Sequence, residues 1–183
     1  HLTEQVLYIE GIPVKLTRKR MKSVRLRVKS PSGDVCLSAP YHVPEAELRT
    51  FVAARADWIR QQQTRIAASP SARAEKASKE EIEAWRTVVK ACVPPLVEQW
   101  AAILDVHPKT IAYRNMKSRW GSCQPKTGRI CFNIRLALYP PECLEYVVVH
   151  ELCHFLEPNH GPGFHALMDR VMPDWPARKK KLQ

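Results

Sequence analysis

The run His150-Glu151-Leu152-Cys153-His154, followed by Asn159-His160, carries residue types that bind a metal ion and move a proton. Histidines four residues apart on a helix share one face and can reach one ion. Glu151, rotated off that axis, is placed to take a proton from a water that the ion activates. The flanking Tyr146-Val147-Val148-Val149 and Phe155-Leu156 are largely apolar, which predicts a buried helix. Burying two imidazoles and a carboxylate without partners costs on the order of several kcal/mol. A metal ion resolves that conflict; a helix of hydrogen-bonded core histidines is the alternative.

Three protein ligands would leave a fourth position open, the mark of a catalytic rather than a structural zinc. His160 and His165 are both candidates for the third. His160 sits just past the expected helix end, in Pro158-Asn159-His160-Gly161-Pro162, where turn residues let the chain swing back. His165 falls inside the next expected helix, 162–172, beside the helically spaced Phe164, Leu167, Met168 and Val171. The turn position favours His160. Glu157, three residues past His154, could orient a ligand or simply face solvent at the helix end. Tyr146, four residues before His150, could stabilise an oxyanion or wall the pocket.

The elements that must position these groups are readable in outline. The motif helix opens at Pro140-Pro141, where proline is tolerated in a first turn, and stops at Pro158-Asn159. Residues 6–40 read as a β-meander with strands at 6–9, 12–18, 23–29 and 35–39 and turns at Gly11 and Pro31-Ser32-Gly33-Asp34. Pro44 opens a helix with Leu48, Phe51, Val52, Trp58 and Ile59 at helical spacing, interrupted by Arg55. Residues 67–78, rich in Ala and Ser, read as a connector. Two helical stretches broken at Pro94-Pro95 follow, with Trp85 and Trp100 expected in the core. Residues 109–137 return to a β-pattern as a hairpin turning near Pro125-Lys126-Thr127-Gly128. Its second half, 128–136, is the expected edge strand for an extended substrate.

The stretch 146–154, with Asn159-His160 and Phe164, resembles the YgjP-like metallopeptidases. These are metal-dependent hydrolases related to the SprT- and Wss-type zinc proteases. Arg114-Asn115-Met116-Lys117-Ser118-Arg119-Trp120-Gly121-Ser122-Cys123 is similar to that family's second signature, and Met172-Pro173-Asp174-Trp175 to its tail. The likeness runs in order along nearly the whole chain. It implies a zincin-like core, His150, His154 and His160 as ligands of one Zn²⁺, and Glu151 as the general base. It also brings Arg119 near the cleft, as a group for a substrate carbonyl or carboxylate, or for the oxyanion. His165 departs from the pattern, which has a bulky aromatic there.

Composition fits a cytoplasmic enzyme. With 183 residues and 45% hydrophobic, the chain can bury one good core or two small lobes. It has no apolar run long enough to span a bilayer and no recognisable signal peptide after His1. Six cysteines without CxxC spacing argue against a zinc finger or a disulfide framework. The net charge is +11, with eight basic residues and no acid from Lys15 to Lys29. Alternation there puts Arg25, Arg27 and Lys29 on one strand face, able to meet nucleic acid or an acidic protein, or to protect a sheet edge.

The expectation is an α+β protein in which a zincin-like metallopeptidase core, its HExxH helix beside a small antiparallel sheet, joins an N-terminal β-meander lobe. The lobe, connector and core are expected at 1–66, 67–78 and 79–183. The implied activity is zinc-dependent peptide hydrolysis, although manganese, iron or nickel also suits three histidines. The rivals are a protease acting on DNA- or RNA-bound proteins and a non-catalytic metal-stabilised binding module.

Overall fold

A computed structural model describes residues 3–182; His1, at which the expectation about a signal peptide falls, lies outside them, as do Leu2 and Gln183. The architecture is α+β, and the chain divides into two compact units, His1–Lys76 and Ala77–Gln183.

In the first unit, β1 (Thr3–Ile9) and β2 (Ile12–Arg18) form a hairpin. Its two turn residues, Glu10 and Gly11, both have positive φ (51° and 75°), the conformation that matches the twist of the flanking strands. β3 (Arg25–Val28) and β4 (Val35–Ala39) complete a sheet of order β1-β2-β4-β3. The expected meander is therefore corrected: β4 lies parallel to β2, and β3 is displaced to the edge. Side-chain character explains the order. Val35, Leu37 and Ala39 are buried and favour a central strand, whereas Arg25 and Arg27 stay exposed, where cations discourage further pairing.

The inner sheet face packs on α1 (Glu45–Ala53) and α2 (Ala56–Ala67) through Leu48, Val52, Ala56 and Ile59. The one helix expected here is two. Arg55 sits at the break with its guanidinium 3.7 Å from the Phe51 ring centroid and a hydrogen bond to the Phe51 carbonyl. Past the break the register shifts, and Trp58 is 44% exposed rather than core. Inside the expected connector, Ser69 caps a short helix α3 (Pro70–Glu75), its hydroxyl accepting from the Ala72 N–H.

The second unit opens with α4 (Lys79–Leu104), whose N-cap Ser78 accepts from the Glu81 N–H. The expected break at Pro94-Pro95 does not occur. An interior proline costs about 3 kcal/mol, but Trp85, Val89, Val93, Val97 and Leu104 are buried on both sides of the pair. Burial of a continuous stripe outweighs the lost backbone bonds.

β5 (Thr110–Arg114), β6 (Gly121–Gln124) and β7 (Arg129–Asn133) form a sheet of order β5-β7-β6. The β6–β7 hairpin turns at Pro125–Gly128 as expected, but β5 runs parallel to β7, so the sheet is mixed rather than antiparallel. β7 is thus the central strand and cannot be the substrate edge. Its Ile130 and Phe132 are fully buried, which is what a middle strand requires. A 3₁₀ turn (Ile134–Leu138) leads to α5 (Pro141–Cys153), followed by α6 (Pro162–Val171) and α7 (Trp175–Lys180). α5 ends earlier than Pro158: His154 is its C-cap, and residues 154–157 continue in tight turns bonded back to Glu151, Leu152 and Cys153. Arg178–Glu145 (2.8 Å) and Lys181–Glu142 (2.7 Å) ion pairs join α7 to α5. Among the described residues, no helix is long and apolar enough to cross a membrane.

Candidate metal centre

α5 is hydrophobic nearly all round, so it is buried nearly all round, and only the His150 face opens into a cleft of about 770 Å³. His154 keeps right-handed helical backbone angles at the C-cap, which preserves its alignment with His150. The turn after it returns His160 to the same point. His150 Nε2 lies 3.1 Å from His160 Nε2 and 3.3 Å from His154 Nε2, and the three ligand atoms sit within 4.8 Å of one another. A tetrahedral zinc with Zn–N bonds of about 2.0–2.1 Å separates its nitrogens by about 3.3–3.4 Å. The donor set and its spacing fit such an ion.

The second nitrogen of two of these rings is also engaged. His154 Nδ1 lies 3.1 Å from the Glu157 carbonyl, and His150 Nδ1 lies 3.4 Å from the Tyr146 hydroxyl. With Nδ1 carrying the proton in each ring, the Nε2 lone pairs point at the shared centre. Glu157 thus acts through its backbone; its carboxylate lies against Gly163 in the first turn of α6. Phe164 packs on all three imidazoles, with centroids 4.9, 4.7 and 5.0 Å away, and so fixes their ring planes.

Electrostatics favour ligation. Burial, then the neighbouring His154 and His160, push the His150 pKa down to about 3, and burial lowers that of His154. Both rings are neutral at pH 7, the form that binds a metal. Burial pushes Glu151, only 5% exposed, up to about 8, with the Arg119 charge opposing. A cation held by the triad would pull that carboxyl back towards its ionised form.

β6 is brought hard against Glu151. A Cβ at Gly121 would sit 3.0 Å from Glu151 Cγ, from Glu151 Oε1 and from the Cys131 carbonyl. Only glycine permits this approach. Arg119 and Trp120, just before β6, line the cleft, as does Tyr146. Tyr146 is 5% exposed, and its hydroxyl faces His150. His165 lines the cleft but stands outside the triad, stacked on Trp175 at 5.7 Å and 17°. Cys153 is fully buried and takes no part.

The family model for the YgjP-like metallopeptidase domain matches residues 22–87 and 68–183. The chain belongs to the YgjP-like family. Among solved structures, this YgjP-like chain is similar to the metallopeptidase zymogen jannalysin of Methanocaldococcus jannaschii. The two are 23% identical over 49% of this chain and 92% of that one, with a TM-score of 0.44. It is also similar to the zymogen abylysin of Pyrococcus abyssi, at 21% identity over 49% of this chain and 90% of that one, TM-score 0.45. A comparison with curated proteins gave no match.

Some residues of this YgjP-like site are not marked by any obvious motif. Asn133, 2% exposed, donates to the carbonyls of Met116 and Arg119 and accepts from the N–H groups of Met116 and Arg135. It clasps the loop that delivers Arg119 and Gly121. Arg135 donates to the Asn115 side chain at the same loop. The only sequence signal is an amide closing the apolar run Ile130-Cys131-Phe132.

Proposed function

We propose that this metallopeptidase-family chain is a zinc-dependent peptidase, with His150, His154 and His160 as the ligands and Glu151 as the general base. The observation that carries the reading is the convergence of three Nε2 atoms at zinc-ligand spacing beside a buried carboxylate. When bound, the ion supplies Lewis acidity towards the scissile carbonyl and the attacking water. Glu151 takes a proton from that water and returns it to the leaving amine. Its low exposure keeps bulk solvent from competing for the proton.

The substrate backbone pairs with β6, the sheet edge that lines the cleft. Arg119 serves the developing oxyanion. Tyr146 is the weaker candidate for that role, because its hydroxyl is engaged with His150 Nδ1.

Elemental analysis of the wild type, His160→Ala and His165→Ala tests the ligand set. Stoichiometric zinc lost in His160→Ala and kept in His165→Ala is the expected result. Glu151→Gln should retain zinc and lose at least about a thousandfold in peptide cleavage. A fully active Glu151→Gln would remove Glu151 as the base; no cleavage by the wild type, with unfolding on chelation, would leave only a metal-stabilised binding module.

A second reading rests on β3, whose Arg25 and Arg27 are exposed on a sheet edge, with Lys29 exposed just beyond it. These residues suit a polyanion. Cleavage that rises with added polynucleotide and falls with salt would make the YgjP-like chain a protease of nucleic-acid-bound proteins.

A further inference from the structure

The α6–α7 wall of the cleft has a construction that metal binding does not require. Tyr146 and Trp175 stack at 6.5 Å and 12°, and Trp175 stacks on His165 in turn. The indole is held in place by a 2.7 Å hydrogen bond from its Nε1 to Asp169. Above it, Lys179 Nζ lies 6.0 Å from the ring centroid. Four consecutive cations, Arg178 to Lys181, run from the last turn of α7 into its C-cap. Arg178 and Lys181 are ion-paired with α5, whereas Lys179 has no carboxylate partner among the described residues and lines the cleft.

On the opposite wall Arg119 is exposed, and it too has no carboxylate partner among the described residues. The charges of these two cations reach the reacting centre: Lys179 acts on His150, and Arg119 acts on Glu151. Among the described residues that line the cleft the one acid is Glu151, which is buried and committed to chemistry; Asp169, beside the platform, has its carboxylate engaged by the Trp175 N–H. A cleft with two unpaired cations and no exposed carboxylate among its described lining residues repels a basic peptide and attracts an acidic one.

We propose that Lys179, with His165 on the stacked Trp175 platform, forms a carboxylate-binding subsite that selects acidic peptides. This rests on the peptidase reading above and names its substrate class. Lys179 supplies the charge and the imidazole a directional donor. The indole face gives the aliphatic part of an Asp or Glu side chain an apolar seat. The shared chemistry is a carboxylate, from an internal acidic side chain or from a substrate's C-terminus.

The test uses the full chain loaded with zinc and four peptides of one length. Three are blocked at both ends and acidic, neutral or basic in side chains; the fourth is neutral with a free C-terminus. Cleavage is read as kcat/KM, and binding is read by calorimetry on zinc-loaded Glu151→Gln. The blocked acidic peptide is expected to exceed the basic one by about tenfold or more. Lys179→Gln should lower that ratio and Lys179→Glu invert it. Lys22→Glu, the same charge change in the first unit, should leave it in place. Preference for the free C-terminus instead would keep the subsite and assign its carboxylate to the chain end.

Equal cleavage of all four peptides, or preferences indifferent to Lys179, would overturn the subsite while leaving the peptidase reading intact. If no peptide is cleaved, the peptidase reading fails and the binding arm decides. Acidic-peptide affinity that falls in Lys179→Glu supports the subsite, and unchanged affinity overturns it.

Discussion

The two sheets of this chain have opposite relations to polar groups. The four-stranded sheet of the first unit buries an apolar face on α1 and α2, and its charges stay outside. The three-stranded sheet of the second unit borders the buried polar side chains Asn133, Arg135, Glu151 and His154; the first unit buries none among the described residues. Buried polar groups weaken a fold unless each finds a partner. Their confinement to one unit separates a scaffold governed by packing from a site governed by satisfied polar contacts.

Chelation should give the largest contrast. With zinc present at a thousandfold excess over its Kd, binding stabilises the native state by about 4 kcal/mol. Hydrogen exchange should show lost protection in residues 77–183 on adding a chelator, with residues 3–76 unchanged. Equal loss in both units would break the comparison. Next comes Leu37→Ala, at a fully buried position of β4. It should cost about 2–5 kcal/mol in denaturant melts while metal content and cleavage stay at wild-type levels. A drop in bound zinc would show that the first unit supports the site directly.

Glycines sharpen the contrast at smaller cost. Gly121→Ala drives a methyl into the Cys131 carbonyl and Glu151. An expected loss of about 1–3 kcal/mol should come with at least a tenfold fall in kcat, because the base is displaced. Gly11→Ala meets nothing within 4 Å, but its φ of +75° strains any side chain. It should cost about 1–2 kcal/mol and leave cleavage alone. If Gly121→Ala keeps full activity, the close approach of β6 to Glu151 has no catalytic role.

The site was more legible in the sequence than the sheets around it. Spacing of four places His150 and His154 on one face whatever the neighbours do, and Pro158 to Pro162 marks a turn that must redirect His160. Strand positions were also readable, because alternation reports which face is buried. It does not report which strand lies beside which. The parallel β2–β4 and β5–β7 pairs, and hence the central place of β7, depend on competition among strands for buried positions. The unbroken course of α4 through Pro94-Pro95 likewise follows from tertiary burial, which local propensity cannot see. Asn133 and Lys179 escaped because an isolated amide or lysine has meaning only once its neighbours are known.

pH offers the finest probe of the difference, because the buried groups with shifted pKa values lie in the polar unit, whereas the shifted pair of the first unit, Lys15–Asp34, is exposed. For the metal-free protein, burial raises Glu151 from 4.5 to about 8. The folded state then binds more protons than the unfolded state between those values. Its contribution to stability is complete below pH 4.5 and is lost as pH rises through 8. His150 has the opposite sign. Its pKa falls from 6.5 to about 3, so its contribution is complete above 6.5 and is lost as pH falls towards 3. His154 shifts in the same direction as His150. Between pH 6.5 and 8 only Glu151 remains among these three. The apo protein should therefore lose about 1–2 kcal/mol across that window in the second unit. Glu151→Gln should abolish the slope, and zinc should flatten it in the wild type by favouring the carboxylate. A slope that survives Glu151→Gln would place its origin elsewhere in the cleft and deny Glu151 the buried, proton-holding environment on which its role as base depends.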